Sequence, residues 1–205
     1  EVGADPVEPL AREGDLVGDP AGEPGARDGE VRVVDGRFPG DRLVAAETVN
    51  VLVRELFPRA VVVTPNLDEA ALLVGHPIEA AHALEPAAAE LLAMGARAVL
   101  VKGGHLPGDE VVDLLAQRTG HPLRLTSERI ASRNLHGTGC TLSSAIAAHL
   151  ALGAELPEAV ASARDYVIGA MRAGAQVQVG QGHGPLNHGF APVPTHRLPL
   201  RPTDA

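Results

Sequence analysis

Two short apolar runs, Ala60–Thr64 and Arg97–Val101, each follow a stretch with helical spacing, and this alternation restricts the fold more than any other feature. Runs this short read as strands, and apolar residues at successive positions call for cover on both faces. Helices are expected at Val44–Leu56, Asn66–Val74, Pro86–Met94, Thr138–Leu150 and Pro157–Ala173. The last places Pro157 in its first turn, where no N–H is needed. Glu110–Leu115 and Leu123–Thr126 read as two further strands, a hairpin or edge pair across the polar turn Gln117–His121. The expected class is α/β in three layers, a largely parallel sheet flanked by helices. Ligands of such sheets bind beyond the C-terminal ends of the strands.

Three segments fall at such places. Asn134-Leu135-His136-Gly137-Thr138-Gly139-Cys140 joins a glycine-flanked turn to an apolar helix and carries the only cysteine. The first N–H groups of a helix have no partner within it, and with the helix dipole they form an anion site. The same field favours a thiolate over a thiol. A phosphate cradle and a base can therefore share one turn, although a lone cysteine also serves as a small buried hydrophobe. Thr64-Pro65-Asn66-Leu67-Asp68-Glu69-Ala70 follows Val61–Val63. Asn66 and Glu69 are three apart, so an amide oxygen and a carboxylate can face one point and suit Mg²⁺. The same spacing also describes a helix N-terminus with an acidic first turn. In Val99-Leu100-Val101-Lys102-Gly103-Gly104-His105 a strand ends in the chain's only lysine, all other basic residues being arginine. An ammonium point charge before two glycines suits a phosphate, or simply a solvated strand end.

In the order TPNLDEA, VKGGH, HGTGCTLSSAIAAHLALG and GQGHGPLNH, the chain resembles the hydroxymethylpyrimidine/phosphomethylpyrimidine kinases of thiamine biosynthesis, from about Asp41 to His188. Those kinases belong to the ribokinase-like superfamily, whose sugar kinases usually carry an aspartate where this chain has Cys140. The resemblance implies a ribokinase-like fold and ATP-dependent phosphorylation of 4-amino-5-hydroxymethyl-2-methylpyrimidine, its monophosphate, or both. It implies ATP and Mg²⁺ as cofactors. By the same resemblance Gly137, Thr138, Gly139 and Cys140 form the anion hole, with Cys140 the base on the substrate hydroxyl. Asn66 and Glu69 organise the metal, while Lys102 and Gly103 line the ATP site. Val31–Asp35 is similar to a late strand of the family, which makes Asp35 a further metal-site candidate. The family's Asp-Pro-Val-Met and Ser-Gly-Asp segments are shortened here to Asp35 through Asp41.

Relatives open with a strand and a glycine-rich segment, then βα units that build much of the pyrimidine pocket. Residues 1–30 instead form a Gly/Pro-rich leader with nine acidic residues against Arg12 and Arg27, −7 of the chain's net −9. Such a stretch is expected to be disordered. Residues 31–189 are expected to form the C-terminal part of the kinase domain, incomplete at its N-terminus, and 190–205 a flexible tail. A truncated, catalytically incompetent relative that binds only nucleotide or a partner chain is the alternative. A bare sheet edge would favour a homodimer.

The remaining composition excludes other classes. The acidic balance argues against nucleic acid, and one Tyr, three Phe and no Trp leave few stacking platforms. No apolar run approaches the roughly 20 residues of a membrane span. A single cysteine permits no internal disulfide and fits a cytoplasmic protein. His105, His136, His183 and His188 show no zinc-ligand spacing.

Overall fold

The computed structural model describes residues 33–34, 46–178 and 180–192, with side chains from residue 49 onward. The acidic leader, Asp35 and residues 193–205 lie outside the described residues. Strand β1 (Val33–Val34) precedes helix α1 (Ala46–Val51), which widens into a π turn at Leu52–Leu56. Then come β2 (Val62–Val63), α2 (Leu67–Val74), a 3₁₀ turn at Ala81–Ala83, α3 (Leu84–Ala93) and β3 (Ala98–Val101). The hairpin β4 (Glu110–Gln117) and β5 (Leu123–Glu128) leads to α4 (Thr138–Ala151) and α5 (Leu156–Gly174).

The five strands form one sheet in the order β1-β2-β3-β4-β5. β1, β2 and β3 run parallel, whereas β3–β4 and β4–β5 are antiparallel. Connection length explains the change of direction. Helices α2 and α3 carry the chain from β2 back to β3, but only residues 102–109 separate β3 from β4. A parallel crossover needs a dozen residues or more, so the chain must reverse. The sheet is mixed, and its hairpin extends past the expected ends to Gln117 and Glu128. Helix α3 starts at Leu84 rather than Pro86, which leaves the proline in the first turn, where it breaks no hydrogen bond.

Alternate strand residues point to opposite faces, and each face has its own core. Val63, Val99 and Val101 pack with Leu67 and Ala70 of α2 and with Leu84 and Leu91 of α3. Val62, Ala98 and Leu100 pack with Leu142 and Ile146 of α4 and Val160, Ala163 and Val167 of α5. All four residues of β3 are buried, as expected of a strand covered on both sides. The edge strand opposite β1, β5, is mostly exposed. It exposes Arg124 and Glu128, charges that discourage pairing with another strand. Among the described residues no helix is long and apolar enough to cross a membrane.

Candidate active site

The first wall of the site is the start of α2. Asn66 is its N-cap: its side-chain oxygen accepts the Glu69 N–H at 2.9 Å, and the Glu69 carboxylate accepts the Asn66 N–H at 2.7 Å. This reciprocal capping box satisfies two donors that the helix itself leaves unpaired. The one-turn spacing of the two residues is thus used structurally, and Glu69 is buried. Each side chain gives an oxygen to the cap. Hard oxygen donors of this kind fit Mg²⁺, which takes few protein ligands and keeps waters and substrate phosphates for the rest. Among the described residues no group of three or more His, Cys, Asp or Glu could hold a metal alone.

The second wall adjoins it. Asn66 and Lys102 form an isolated parallel bridge that prolongs the β2–β3 pairing, and the Lys102 N–H donates to the Pro65 carbonyl at 2.9 Å. Two of the three sequence segments therefore meet through their backbones. The next residue, Gly103, lies so close to β4 that a Cβ there would overlap the Val112 carbonyl oxygen. Its N–H donates to Asp113 Oδ1 at 2.8 Å, and Asp113 Oδ2 accepts from Arg164 Nε at 2.8 Å. Arg129 holds the following loop, donating to the carbonyls of Gly104 at 2.7 Å, Gly108 at 2.6 Å and Leu106.

The third wall is the start of α4. Gly137 adopts φ 92°, a left-handed conformation that costs other residues strain and that turns the loop into the helix. The helix begins with no side-chain cap. Thr138 N–H reaches the Leu135 carbonyl at 3.3 Å and Thr141 N–H the Gly137 carbonyl at 2.8 Å. Gly139 and Cys140 lie between them, in the first turn, where N–H groups have no partner within the helix. The loop before the turn is anchored by buried Asn134, whose amide donates to the carbonyls of Gly174 and Val177, both at 2.6 Å. Gly184 accepts the His136 N–H at 3.3 Å, which ties the GQGHGPLNH segment to the same loop.

A cleft of about 320 Å³ lies between the second and third walls and the hairpin, and neither Asn66 nor Glu69 lines it. Lys102, Thr138 and Gly139 line it together with the apolar Leu142, Val167 and Met171. Cys140 does not line it. The thiol is exposed and lines an open hollow of about 530 Å³ with Thr141, Ser144, Ala148, Tyr166 and His188. Tyr166 stacks on His188 with ring centroids 6.3 Å apart and meets Phe190 at 5.3 Å, so the aromatic residue expected to open the tail is packed. The first turn of α4 thus stands between two recesses, with Lys102 on one side and Cys140 on the other.

Sequence reasoning missed Asp113, Arg164, Arg129 and Asn134. Two of them carried a signal. Asp113 is the lone charge in the apolar run Val111–Ala116, and Arg164 sits on the apolar stripe of Val160, Ala163 and Val167. A charge at a core position is buried only with a partner.

A mixed α/β sheet with a glycine turn opening a helix beside the strand ends is the architecture of ribokinase-like kinases. In keeping with it, the fold is similar to that of Staphylococcus aureus pyridoxal kinase in complex with AMP-PCP. The TM-score is 0.74 at 32% identity, covering 80% of this chain and 59% of that one. The family model for phosphomethylpyrimidine kinase matches residues 37–187, and the chain belongs to that family. It is 50% identical over 151 residues to the hydroxymethylpyrimidine/phosphomethylpyrimidine kinase of Rhizobium meliloti (strain 1021), covering 73% of this chain and 56% of the relative. Against the enzyme of the same description from Streptomyces coelicolor the identity is 47% over 153 residues, 74% of this chain and 55% of the relative. The chain thus spans little more than half the length of these relatives.

Proposed function

We propose that this chain carries out, or forms the nucleotide and phosphoryl part of, ATP-dependent phosphorylation of 4-amino-5-hydroxymethyl-2-methylpyrimidine or its monophosphate in thiamine diphosphate biosynthesis. One observation carries the reading beyond family membership: the first turn of α4 divides two recesses, Lys102 lining one and Cys140 the other. In-line phosphoryl transfer needs its donor and acceptor on opposite sides of the phosphorus, with negative charge compensated between them. The cleft, with both apolar and cationic lining, suits a nucleotide, its base against Val167 and Met171 and its phosphates toward Lys102. The open hollow suits the acceptor alcohol.

In this reading Cys140 takes the proton of the hydroxymethyl group as its oxygen attacks the γ-phosphorus. The bond from that phosphorus to the bridging oxygen breaks, and ADP leaves with the bond's electron pair. A base so placed contributes about 10²–10⁴-fold. The N–H groups of Gly139 and Cys140 receive the oxygens of the transferring group, where fixed donors act without reorganising. Asn66 and Glu69 would hold Mg²⁺, which supplies charge compensation to the nucleotide phosphates.

The purified chain, ATP, Mg²⁺ and the hydroxymethylpyrimidine, with pyridoxal as a second acceptor, test this by phosphorus NMR. A phosphorylated pyrimidine is the expected product. ADP formation with pyridoxal alone, or no nucleotide binding, would sink the reading.

A further inference from the structure

We propose that Asp113 and Arg164 are positioning residues for the nucleotide: as a neutral buried pair they fix the Lys102–Gly103 turn against the hairpin. The inference rests on the nucleotide reading of the cleft.

The pair joins residues 51 positions apart, and its side chains are only about a tenth exposed. A buried ion pair is weak evidence for stability, because apolar residues of similar size often do as well or better. What apolar residues could not do here is accept a hydrogen bond from Gly103. Asp113 divides its two oxygens between that N–H and Arg164. Arg164 in turn has little freedom. It donates to the Val111 carbonyl at 3.3 Å, the Thr126 carbonyl at 3.2 Å and Ser127 Oγ at 2.9 Å, and so is fastened to both strands of the hairpin. The planar fork of an arginine allows this, and a lysine could not reproduce it.

Two consequences bear on the cleft, which both side chains line. The backbone after Lys102 is held on one side by Pro65 and on the other by Asp113, so the lysine leaves a turn fixed at both ends. A carboxylate beside phosphates would repel them, and the guanidinium cancels that charge in place. The pair therefore supplies an acceptor to the turn without adding net charge to the site.

Two readouts on the full chain test this: the affinity for AMP-PCP·Mg²⁺ by calorimetry, and hydrogen exchange at the Gly103 amide by NMR. Asp113→Asn keeps the size but places an amide donor against either Gly103 or Arg164. It should weaken AMP-PCP·Mg²⁺ about tenfold, equivalent to about 1.4 kcal/mol, and speed exchange at Gly103 more than at Val99. Leu91→Ala, a core truncation in α3, should lower the melting temperature and leave the affinity unchanged. If Asp113→Asn does not fold, Arg164→Lys should move both readouts the same way by less. Unchanged affinity in folded Asp113→Asn overturns the positioning role, whatever happens at Gly103. A wild type that does not bind AMP-PCP·Mg²⁺ overturns the nucleotide reading instead, and Gly103 exchange alone then decides whether Asp113 holds the turn.

Discussion

Asn66 and Glu69 cap each other across the first turn of α2, each accepting the other's backbone N–H. The structural role of these two side chains and the metal role proposed for them can be parted by substitution. Glutamine serves the capping box as well as glutamate does. Glu69→Gln should leave the melting temperature near that of the wild type while raising the Mg²⁺ concentration needed for half-maximal activity. Asn66→Ala should instead lose about 0.5–2 kcal/mol of stability through the cap, read by urea unfolding. A Glu69→Gln protein with unaltered Mg²⁺ dependence would confine the pair to capping.

Lys102 is the chain's only lysine and leaves the sheet beside Asn66. A charge-assisted hydrogen bond is worth about 1.5–3 kcal/mol, so Lys102→Ala should weaken ATP·Mg²⁺ by at least tenfold in calorimetry. Equal affinity would remove the lysine from the site.

Away from the cleft, His76 and Glu90 form an exposed pair at 3.1 Å. The hydrogen bond that His76 donates to the Glu90 carboxylate raises the His76 pKa above the ordinary imidazole value, with the Pro77 carbonyl adding to it. Because the folded value is raised, the stabilisation is complete below the unfolded pKa and is lost as pH rises through the folded one. An NMR titration should show the His76 midpoint falling in Glu90→Gln. The melting-temperature difference between wild type and Glu90→Gln should be present in mildly acidic buffer and shrink in alkaline buffer. A difference that grew with pH would contradict the pairing.

Much of this molecule was legible in sequence because its signals are local. The helix starts at Asn66 and Gly137 and the strand end at Lys102 each announce themselves within a few residues. Helix and strand placements held to within about two residues at most ends. The direction of β4 was less legible, since a short connection outweighs the parallel habit of alternating elements. The Asp113–Arg164 pair depends on tertiary packing between a strand and a helix, and only the oddness of each charge in its apolar setting marked it. The division of the first turn of α4 between two recesses was hidden for a geometric reason. Successive helical residues are rotated by about 100°, so Gly139 and Cys140, adjacent in sequence, face different sides of α4.

That rotation gives Cys140 its test. If the thiol acts on the acceptor side alone, its loss should spare the nucleotide cleft. Cys140→Ser keeps the size and some hydrogen bonding but offers a far less acidic group. It should lower kcat more than it raises KM for the pyrimidine, because the lost interaction belongs to the proton-transfer transition state. Affinity for ATP·Mg²⁺ should be unchanged, in contrast to Lys102→Ala. Cys140→Asp, which restores an ionised oxygen base to the same turn, should recover part of the rate. Removing a positioned base costs about 10²–10⁴-fold, so the effect on kcat should stand well clear of error in a steady-state assay. Full kcat in both Cys140→Ser and Cys140→Ala would refute the assignment and leave the hollow beside α4 as a binding surface only.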